Sequence, residues 1–203
     1  MFITFEGIDS SGKSTQVEKL SDALTKLGKK VLALREPGGT TVAEAIRTIL
    51  LDKKNLIHYE DELLLFTSAR ANLVSNVIIP ELKIGTVVIC DRFADSSIAY
   101  QSFGRGIKRE VVELINNFAT QNLKPDLTFV VDISVDTMIE RTKIAKKIND
   151  RMEENKIDFY EKVRNGYNVL SKEEPNRVKI IDGTKSIEQI HETIIKFVQQ
   201  KLN

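Results

Sequence analysis

Five short runs of apolar, mostly β-branched residues constrain the fold of this chain more than any other feature. They are spread through its 203 residues and separated by segments of helical periodicity. The runs are Phe2–Phe5, Val31–Leu34, Val87–Cys90, Leu127–Ile133 and Val178–Ile181. Strands that alternate with helices favour right-handed crossovers and a parallel sheet covered on both sides. The sequence therefore predicts an α/β fold: a doubly wound, five-stranded parallel sheet flanked by helices, with each strand buried on both faces.

The helical segments carry apolar stripes at the spacing of one helix face. The first stripe precedes Gly28, a residue typical of helix ends, and consists of Val17, Leu20, Leu24 and Leu27. The second follows Thr41, which with Glu44 resembles a capping box, and consists of Val42, Ala45, Ile46 and Ile49. The last consists of Ile187, Ile190, Ile194 and Val198. No repeat or linker divides the chain, so we expect one domain, 1–203, with ligands at the carboxyl ends of its strands.

A phosphate-binding motif lies directly between the first predicted strand and the first predicted helix. Residues 7–14 read Gly-Ile-Asp-Ser-Ser-Gly-Lys-Ser and match G-x-x-x-x-G-K-[ST]. The glycines let backbone N–H groups converge on phosphate oxygens, and the helix adds its positive N-terminal end. Lys13 would bridge the β- and γ-phosphates of ATP, and Ser14 would hold Mg²⁺. The predicted nucleotide-binding residues are Gly7, Ile8, Asp9, Ser10, Ser11, Gly12, Lys13, Ser14 and Thr15.

The third apolar run ends in Asp91, and Arg92 follows at once. A carboxylate after a strand is often a turn or cap residue, but near a P-loop it is the acid expected to approach Mg²⁺. A cation beside it makes sense if a second anionic substrate docks against the first, because in-line transfer brings two phosphates together. The sequence thus predicts Mg²⁺ near Ser14 and Asp91, and an anionic acceptor near Arg92.

The composition restricts partners and compartment. Lys and Arg number 30 against 29 Asp and Glu, and a net charge of +1 gives no general attraction to nucleic acid or to an anionic membrane. A single cysteine excludes an internal disulfide, no uninterrupted apolar run approaches the roughly 18 residues of a membrane span, and the N-terminus lacks the features of a secretion signal. We expect a cytoplasmic protein that acts on small molecules, without nucleic acid or membrane partners.

One stretch, residues 143–162, is dense in charge and poor in core residues. Composition alone leaves two interpretations open, a charged surface helix and a lid over the ligand site. As a lid it would cover about residues 143–158.

Several motifs together make the chain similar to thymidylate kinases of the bacterial kind, and the resemblance runs nearly end to end. They are FEGIDSSGKST at 5–15, REPGG at 35–39, FTSAR at 66–70, DRFADSSIAYQ at 91–101, KPDLT at 124–128, DR at 150–151 and DG at 182–183. A P-loop alone would indicate a superfamily, whereas REPGG with DRF and SSIAYQ is far narrower. The resemblance implies a P-loop kinase fold with a short helical lid, phosphorylation of dTMP to dTDP with ATP and Mg²⁺, and a homodimer.

The resemblance also implies how the acceptor is held. Phe66 would stack on the thymine and Arg70 would hydrogen-bond the edge of the base. Without the resemblance, Phe66 in its apolar run would be a core residue, and Arg47 and Arg70 would be ordinary surface charges. Arg92, helped by Arg47, would bind the acceptor phosphate through its planar guanidinium.

Further residues would complete the acceptor site. Ser97, Tyr100 and Gln101 would line the sugar and base pocket, where the Tyr100 ring would crowd a ribose 2′-hydroxyl. Asp9 would face the sugar 3′-hydroxyl or a metal-bound water, and Glu36 would approach the polyphosphate and metal region.

Phosphoryl transfer also requires a cation on the bridging and γ oxygens, from the P-loop or from the lid. Position 10 is Ser, so the resemblance implies Arg151 of the lid, with Arg141 against the adenine and the lid base. Lys146 and Lys147 are alternative lid cations. The predicted catalytic residues are Lys13, Arg92, Arg151 and Asp9.

Three other functions compete with this interpretation. The segment 155–158 has the letters of the guanine-binding motif of GTPases, but that motif should follow an apolar strand. A kinase for another acceptor is the second alternative. A non-catalytic nucleotide-binding scaffold is disfavoured, because Lys13, Ser14, Asp91 and Arg92 are all present.

Overall fold

A computed structural model describes residues 1–144, 151–152 and 155–202. Its centre is one sheet of five parallel strands in the order β2-β3-β1-β4-β5. The strands are β1 (Phe2–Glu6), β2 (Val31–Arg35), β3 (Val87–Asp91), β4 (Leu127–Asp132) and β5 (Val178–Asp182). The predicted fold class is confirmed, and each strand ends within one residue of its predicted boundary.

Helices cover both faces of this sheet. They are α1 (Lys13–Lys26), α2 (Thr41–Leu51), α3 (Tyr59–Leu73), α4 (Ile79–Lys83), α5 (Ala94–Ser97), α6 (Arg109–Thr120), α7 (Val135–Ile144), α8 (Ile157–Glu173) and α9 (Ile187–Leu202). Two π-helical segments, Val74–Ile78 and Ile98–Gly104, continue α3 and α5 respectively. Apolar side chains of α1 and α9 pack with Ile3 and Phe5 on one face, while Phe2 packs with the end of α3 on the other.

The two outer strands are not buried on both faces, so that part of the prediction is wrong. In β2 every side chain is half-buried or exposed. In β5 the side chains of Lys179, Ile180 and Asp182 are half-buried or exposed as well. The strand order explains the difference, because β2 and β5 are the edges of the sheet. An edge strand has a neighbour on one side, and fewer helices cover it.

The predicted core face of α2 is also wrong. Val42 and Ile49 are about half exposed, whereas Ala43 and Leu50 are buried. The cap of α2 is Thr40, one residue earlier than predicted: its hydroxyl accepts the N–H of Ala43 at 3.0 Å. The apolar stripe is real, but it faces away from the core.

The predicted end of α1 and the predicted apolar stripes of α1 and α9 agree better with the structure. Gly28 ends α1 in a left-handed conformation with φ of 75°, and Lys29 N–H bonds the carbonyl of Leu24 at 3.0 Å, the pattern of a glycine cap. Leu27 and Ile187, the outer members of their stripes, are exposed, whereas the other members are buried.

The helical stretch 59–83 is long and apolar enough, by length and composition, to cross a membrane. It also contains buried core residues, among them Leu63, Leu73, Val74 and Ile78. A core helix of a globular domain passes the same test, and this one packs against the sheet.

The sheet order brings two chain segments together at one edge. Strands β1 and β3 are neighbours with Phe5 opposite Asp91, so both end at the same level. The chain leaves β1 into residues 7–14 and leaves β3 into Arg92. The phosphate-binding motif and the predicted acceptor cation are therefore adjacent, as expected at the carboxyl ends of parallel strands.

Candidate active site

A cavity of about 260 Å³ opens at the carboxyl ends of the strands. Most of the side chains predicted to bind ligands line it, namely Asp9, Ser10, Lys13, Ser14, Glu36, Arg47, Phe66, Arg70, Asp91, Arg92, Ser97, Tyr100 and Gln101. Residues that the sequence did not single out contribute too: Arg35, Pro37, Leu51, Ser96 and Met152. Seven predicted residues do not line it: Gly7, Ile8, Ser11, Gly12, Thr15, Arg141 and Arg151.

The phosphate-binding loop has the backbone that its glycines permit. Gly7 has φ of 132°, and a Cβ there would lie 2.5 Å from the carbonyl oxygen of Val131, so no larger residue fits. Gly12, with φ of 100°, precedes α1, which begins at Lys13 and points its positive end at the loop. Anion binding suits this arrangement of loop and helix end.

Lys13 folds back over the loop. Its Nζ donates to the carbonyls of Gly7 at 3.2 Å and Ile8 at 2.8 Å. Burial, and then the nearby Arg92, lower the pKa of Lys13 to about 8, against the opposing effect of neighbouring carboxylates. Lys13 therefore carries its charge at neutral pH, at the place where ATP phosphates would enter.

The two predicted metal ligands face each other. Ser14 Oγ donates to Asp91 Oδ2 at 2.7 Å. Both are hard oxygen ligands, the kind that Mg²⁺ prefers. Among the described residues no group of three or more Asp, Glu, His or Cys side chains could hold a metal ion. The oxygen chemistry of Ser14 and Asp91 is therefore compatible with Mg²⁺.

Arg92 reaches across to the loop. Its Nη1 donates to the carbonyl of Gly7 at 2.9 Å, its Nη2 pairs with Asp9 Oδ1 at 2.6 Å, and its guanidinium carbon lies 5.0 Å from the ring centre of Tyr100. Arg92 has φ of 71°, in the left-handed region that side chains disfavour. A cation is thus held beside the phosphate-binding loop, in the same cavity as Lys13.

Arg70 is a buried residue with a fixed side chain, not a surface charge. It is 2% exposed, and its Nε pairs with Glu36 Oε2 at 2.7 Å. Its two terminal nitrogens donate to Ser97 Oγ, Asn116 Oδ1 and the carbonyl of Phe93. Burial raises the pKa of Glu36, and Arg70 opposes that shift.

Two features of this pocket, one polar and one aromatic, point to a ligand. Glu36 Oε1 is buried and has no hydrogen-bond partner among the described residues. Because buried polar atoms are nearly always paired, a bound molecule is the natural donor. Phe66 is half-buried: it packs against the core and also lines the cavity, so it is not enclosed in the core as its apolar run alone would suggest.

The two arginines predicted for the lid and its base contact different parts of the molecule. Arg141 donates to the carbonyls of Ser10 and Ser11, at 3.4 and 3.3 Å, and to Gly183 at 2.9 Å, beside the phosphate-binding loop. Arg151 Nη2 pairs with Glu62 at 2.9 Å and its Nε donates to the carbonyl of Leu50, on the acceptor side. The alternative cations Lys146 and Lys147, and Asp150 of the DR motif, lie outside the described residues.

The sequence missed an acidic residue beneath the cavity, Glu6. Its carboxylate accepts hydrogen bonds from Phe93 N–H, Ser96 and Tyr167. An acid at the end of an otherwise apolar strand was a visible signal. Its partners were not, because they lie 87, 90 and 161 residues further along the chain.

A second buried carboxylate, Glu62, joins Gln101 of the cavity wall to Arg105 and Arg151. It accepts from Gln101 Nε2 at 3.0 Å and from Arg105 Nε at 3.1 Å, and it pairs with Arg151. Asn155 contacts Arg105, and the segment 155–158 runs into α8, which begins at Ile157. In the described part of the chain no strand lies between α7 and α8, whereas a guanine-binding motif follows a strand.

Comparisons with known proteins agree with this geometry. The family model described as thymidylate kinase matches residues 5–194. A thymidylate kinase of Thermosipho africanus is 52% identical over 202 residues, covering 100% of this chain and 99% of that protein. A second, of Kosmotoga olearia, is 46% identical over 196 residues, covering 97% and 94%. The chain belongs to the thymidylate kinase family.

A solved structure supports the fold assignment. The crystal structure of thymidylate kinase from Ehrlichia chaffeensis superimposes with a TM-score of 0.81 and 35% sequence identity, covering 98% of each chain. The predictions of a phosphotransferase and of a nucleoside monophosphate kinase that phosphorylates dTMP with ATP are thereby confirmed.

Proposed function

We propose that ATP and dTMP meet end to end in the 260 Å³ cavity and that dTMP is converted to dTDP there. The observation that carries the proposal is the position of Arg92. Its guanidinium contacts the carbonyl of Gly7 and the carboxylate of Asp9, so an acceptor phosphate bound to Arg92 would lie against the phosphate-binding loop. Phe66, which lines the same cavity, would receive the base.

The donor side is built from the loop and α1. The proposed ATP contacts are Gly7, Ile8, Asp9, Ser10, Ser11, Gly12, Lys13, Ser14, Thr15 and Arg141. Backbone N–H groups and the start of α1 would hold the phosphates, and Lys13 would exchange its loop carbonyls for phosphate oxygens. Ser14 and Asp91 would hold Mg²⁺, which when bound neutralises charge on the phosphates.

The acceptor side would bind a flat base on a sugar phosphate. Phe66 would stack on the thymine, and Arg70 would present its edge to the base from a network that leaves it little freedom. Ser97, Tyr100 and Gln101 would line the sugar and base pocket, and Arg47 would support the phosphate. The unpartnered oxygen of Glu36 would accept a hydrogen bond from a bound group.

The chemistry is a transfer between two anions. An oxygen of the acceptor phosphate forms a bond to the γ-phosphorus, the bond from that phosphorus to the β–γ bridging oxygen breaks, and ADP leaves. Arg92 and Lys13 reduce the repulsion between the phosphates. We propose Arg151 as the cation that joins them from the lid. It would have to leave Glu62 to do so.

The test is an acceptor panel with ATP and Mg²⁺, read as diphosphate formed, for the wild type and for Arg92→Ala. The wild type should prefer dTMP, and Arg92→Ala should raise the KM for dTMP at least about a hundredfold while the KM for ATP changes little, because a charge-assisted contact to phosphate is lost. Arg92→Lys, which keeps the charge but not the planar fork, is the matched control and should recover part of the loss. Unchanged dTMP kinetics in Arg92→Ala would refute the acceptor assignment.

We further propose a cytoplasmic homodimer. Helices α2, α3 and α6 pack side by side and leave large apolar side chains exposed, including Val42, Ile49, Leu64, Leu114 and Phe118. A patch of this kind on a soluble enzyme is typical of an interface, and a second copy can cover it symmetrically. The near-neutral net charge of +1 does not oppose self-association.

A further inference from the structure

Glu6 lies directly beneath the active-site cavity without lining it. It is the last residue of β1 and is 0% exposed. Its Oε1 accepts the N–H of Phe93 at 2.8 Å, and its Oε2 accepts the hydroxyls of Ser96 at 2.5 Å and Tyr167 at 2.9 Å. One carboxylate therefore joins the turn after β3, helix α5 and helix α8.

Two backbone bonds to the end of β1, one of them to Glu6, hold the turn that carries Arg92. The N–H of Arg92 bonds the carbonyl of Phe5 at 2.9 Å, and the N–H of the next residue, Phe93, bonds Glu6. Both bonds run to the end of β1 and hold a backbone with φ of 71°, a left-handed conformation that is unfavourable for a residue other than glycine. Without them the turn would relax to a lower-energy conformation, and the Arg92 side chain would move with it.

Glu6 also reaches the guanidinium of Arg92 through one hydroxyl. Because Ser96 donates its proton to Glu6, its oxygen is left to accept from other donors, and Arg92 Nη1 lies 3.4 Å from it. Tyr167 lies 3.0 Å from the same hydroxyl and closes the group on the far side. The orientation of the Ser96 hydroxyl, and with it the long contact to Arg92, depends on an acceptor at Glu6.

We propose that Glu6 is a positioning residue: from beneath the cavity its carboxylate holds the turn and the guanidinium of Arg92 where the acceptor phosphate binds. The proposal rests on the acceptor role of Arg92 proposed above. A carboxylate withdrawn from water is unfavourable unless its hydrogen bonds compensate, and here three donors from three elements do so. An apolar side chain at the end of β1 would leave the Phe93 N–H and both hydroxyls without this acceptor.

The first test is Glu6→Gln, with the KM values for dTMP and ATP measured separately at pH 8. Glutamine keeps the shape and one acceptor for Phe93, but its amide donates where the carboxylate accepted, so Ser96 and Tyr167 must reorient. We expect the KM for dTMP to rise about tenfold and that for ATP to stay within about twofold, with the midpoint of thermal unfolding not lowered. Glu6 directly precedes Gly7 of the phosphate-binding loop, so a merely structural defect would raise both KM values.

Arg92→Ala makes the test specific. If Glu6 acts through Arg92, adding Glu6→Gln to Arg92→Ala should cause no further rise in the KM for dTMP, because interacting residues give non-additive effects. Additive effects in the double variant would overturn the proposal, as would an unchanged KM for dTMP in Glu6→Gln or an equal rise for both substrates. If Arg92→Ala itself leaves the KM for dTMP unchanged, the proposed function fails. If Arg92→Ala raises it and Glu6→Gln does not, this inference alone fails.

Thr128→Val is the matched control. Thr128 lies in β4, next to β1, and is as deeply buried as Glu6. Its hydroxyl bonds Thr4, Asp95 and Arg177 and does not contact the Arg92 turn. Its loss should lower the unfolding midpoint and leave both KM values unchanged within about twofold, since buried hydroxyls contribute mainly to stability. A rise in the KM for dTMP here as large as in Glu6→Gln would overturn the proposal, because any buried polar defect would then suffice.

Discussion

At the scale of single residues, the titration of Glu6 connects function to stability. Burial first, and then the nearby charge of Asp95, raise the pKa of Glu6 from 4.5 to about 7. The hydrogen bonds from Ser96 and Phe93 and the charge of Arg92 oppose the rise, and Tyr167 of α8 is the other titratable group that touches the carboxylate. A folded-state pKa above the unfolded value means that the folded protein holds a proton that the unfolded chain has already lost.

The stability that Glu6 contributes to the fold decreases as the pH rises. Between pH 4.5 and about 7 the folded state binds more protons at Glu6, so its contribution to the free energy of unfolding falls as the pH rises through this window. Glu6→Gln cannot ionise and lacks this loss. We expect the variant to gain about 1–3 kcal/mol relative to the wild type between pH 5 and pH 8, measured by urea unfolding at both pH values. A constant difference between the two proteins would contradict the shifted pKa.

This prediction distinguishes the role of Glu6 in placing Arg92 from its contribution to the stability of the fold. A glutamine variant that is more stable at pH 8 and yet binds dTMP more weakly cannot owe its defect to partial unfolding. Strain and buried charge at functional sites are commonly retained at the expense of stability. Glu6 is then a residue whose charge is kept for the placement of Arg92.

At the scale of elements, the sequence predicts where the strands lie, but it does not predict which face of a helix is buried. Phe2–Glu6 and Val87–Cys90 are buried in the middle of the sheet with helices on both faces, so their apolar runs mark β1 and β3 within one residue. The stripe of α2 shows that one face of the helix is apolar but not which neighbour covers it. In the folded chain Ala43 and Leu50 face the core, and the Val42 stripe is left outside.

The same reasoning explains what could be foreseen of the active site. Lys13, Ser14 and Arg92 stand in local motifs whose chemistry is readable from spacing. The hydrogen bonds of Arg70 and Glu6 join elements far apart in sequence and exist once the sheet order is set. Long-range pairings of this kind are not encoded in any local pattern.

The packing of α8 on the π-helical segment Ile98–Gly104 gives a prediction at this scale. A Cβ on Gly166 would lie 2.9 Å from the Phe103 ring and 3.0 Å from the backbone Cα of Ala99, and that backbone cannot yield independently. Gly166→Ala should therefore lower the free energy of unfolding by about 1–3 kcal/mol, although alanine alone favours a helix by about 1 kcal/mol. Denaturant unfolding measures the change.

The neighbouring residue supplies the control for that experiment. Asn165 is exposed on the same turn of α8, so Asn165→Ala gains helix propensity without a clash and should be neutral or slightly stabilising. If Gly166→Ala were equally harmless, the close contact between α8 and the π-helical segment would not restrict side-chain size as the distances indicate.

At the scale of the whole molecule, the exposed apolar residues of α2, α3 and α6 form the proposed dimer interface. On α6 the exposed residues Val111, Leu114 and Phe118 follow one helix face, with Leu114 70% and Phe118 87% exposed. Burying such side chains in an interface would contribute roughly 1.5–3 kcal/mol each, which favours the proposed dimer. In a dimer with two-fold symmetry, the same residues of this face would be buried in both copies.

Leu114→Glu should therefore convert the proposed dimer into a monomer, because it places two symmetry-related charges in an apolar interface. Sedimentation equilibrium at micromolar concentration measures the mass directly. Leu27→Glu is the control: Leu27 is also exposed, but it lies at the end of α1, outside the face formed by α2, α3 and α6, so its charge should leave the mass unchanged. A wild-type chain that sediments as a monomer, or a Leu114→Glu variant that remains dimeric, would show that this face is not the interface.

Because α3 carries both Leu64 on the exposed face and Phe66 in the cavity, a true interface should also make acceptor binding weaker in the monomeric variant. The Leu27→Glu control should keep its affinity for the acceptor.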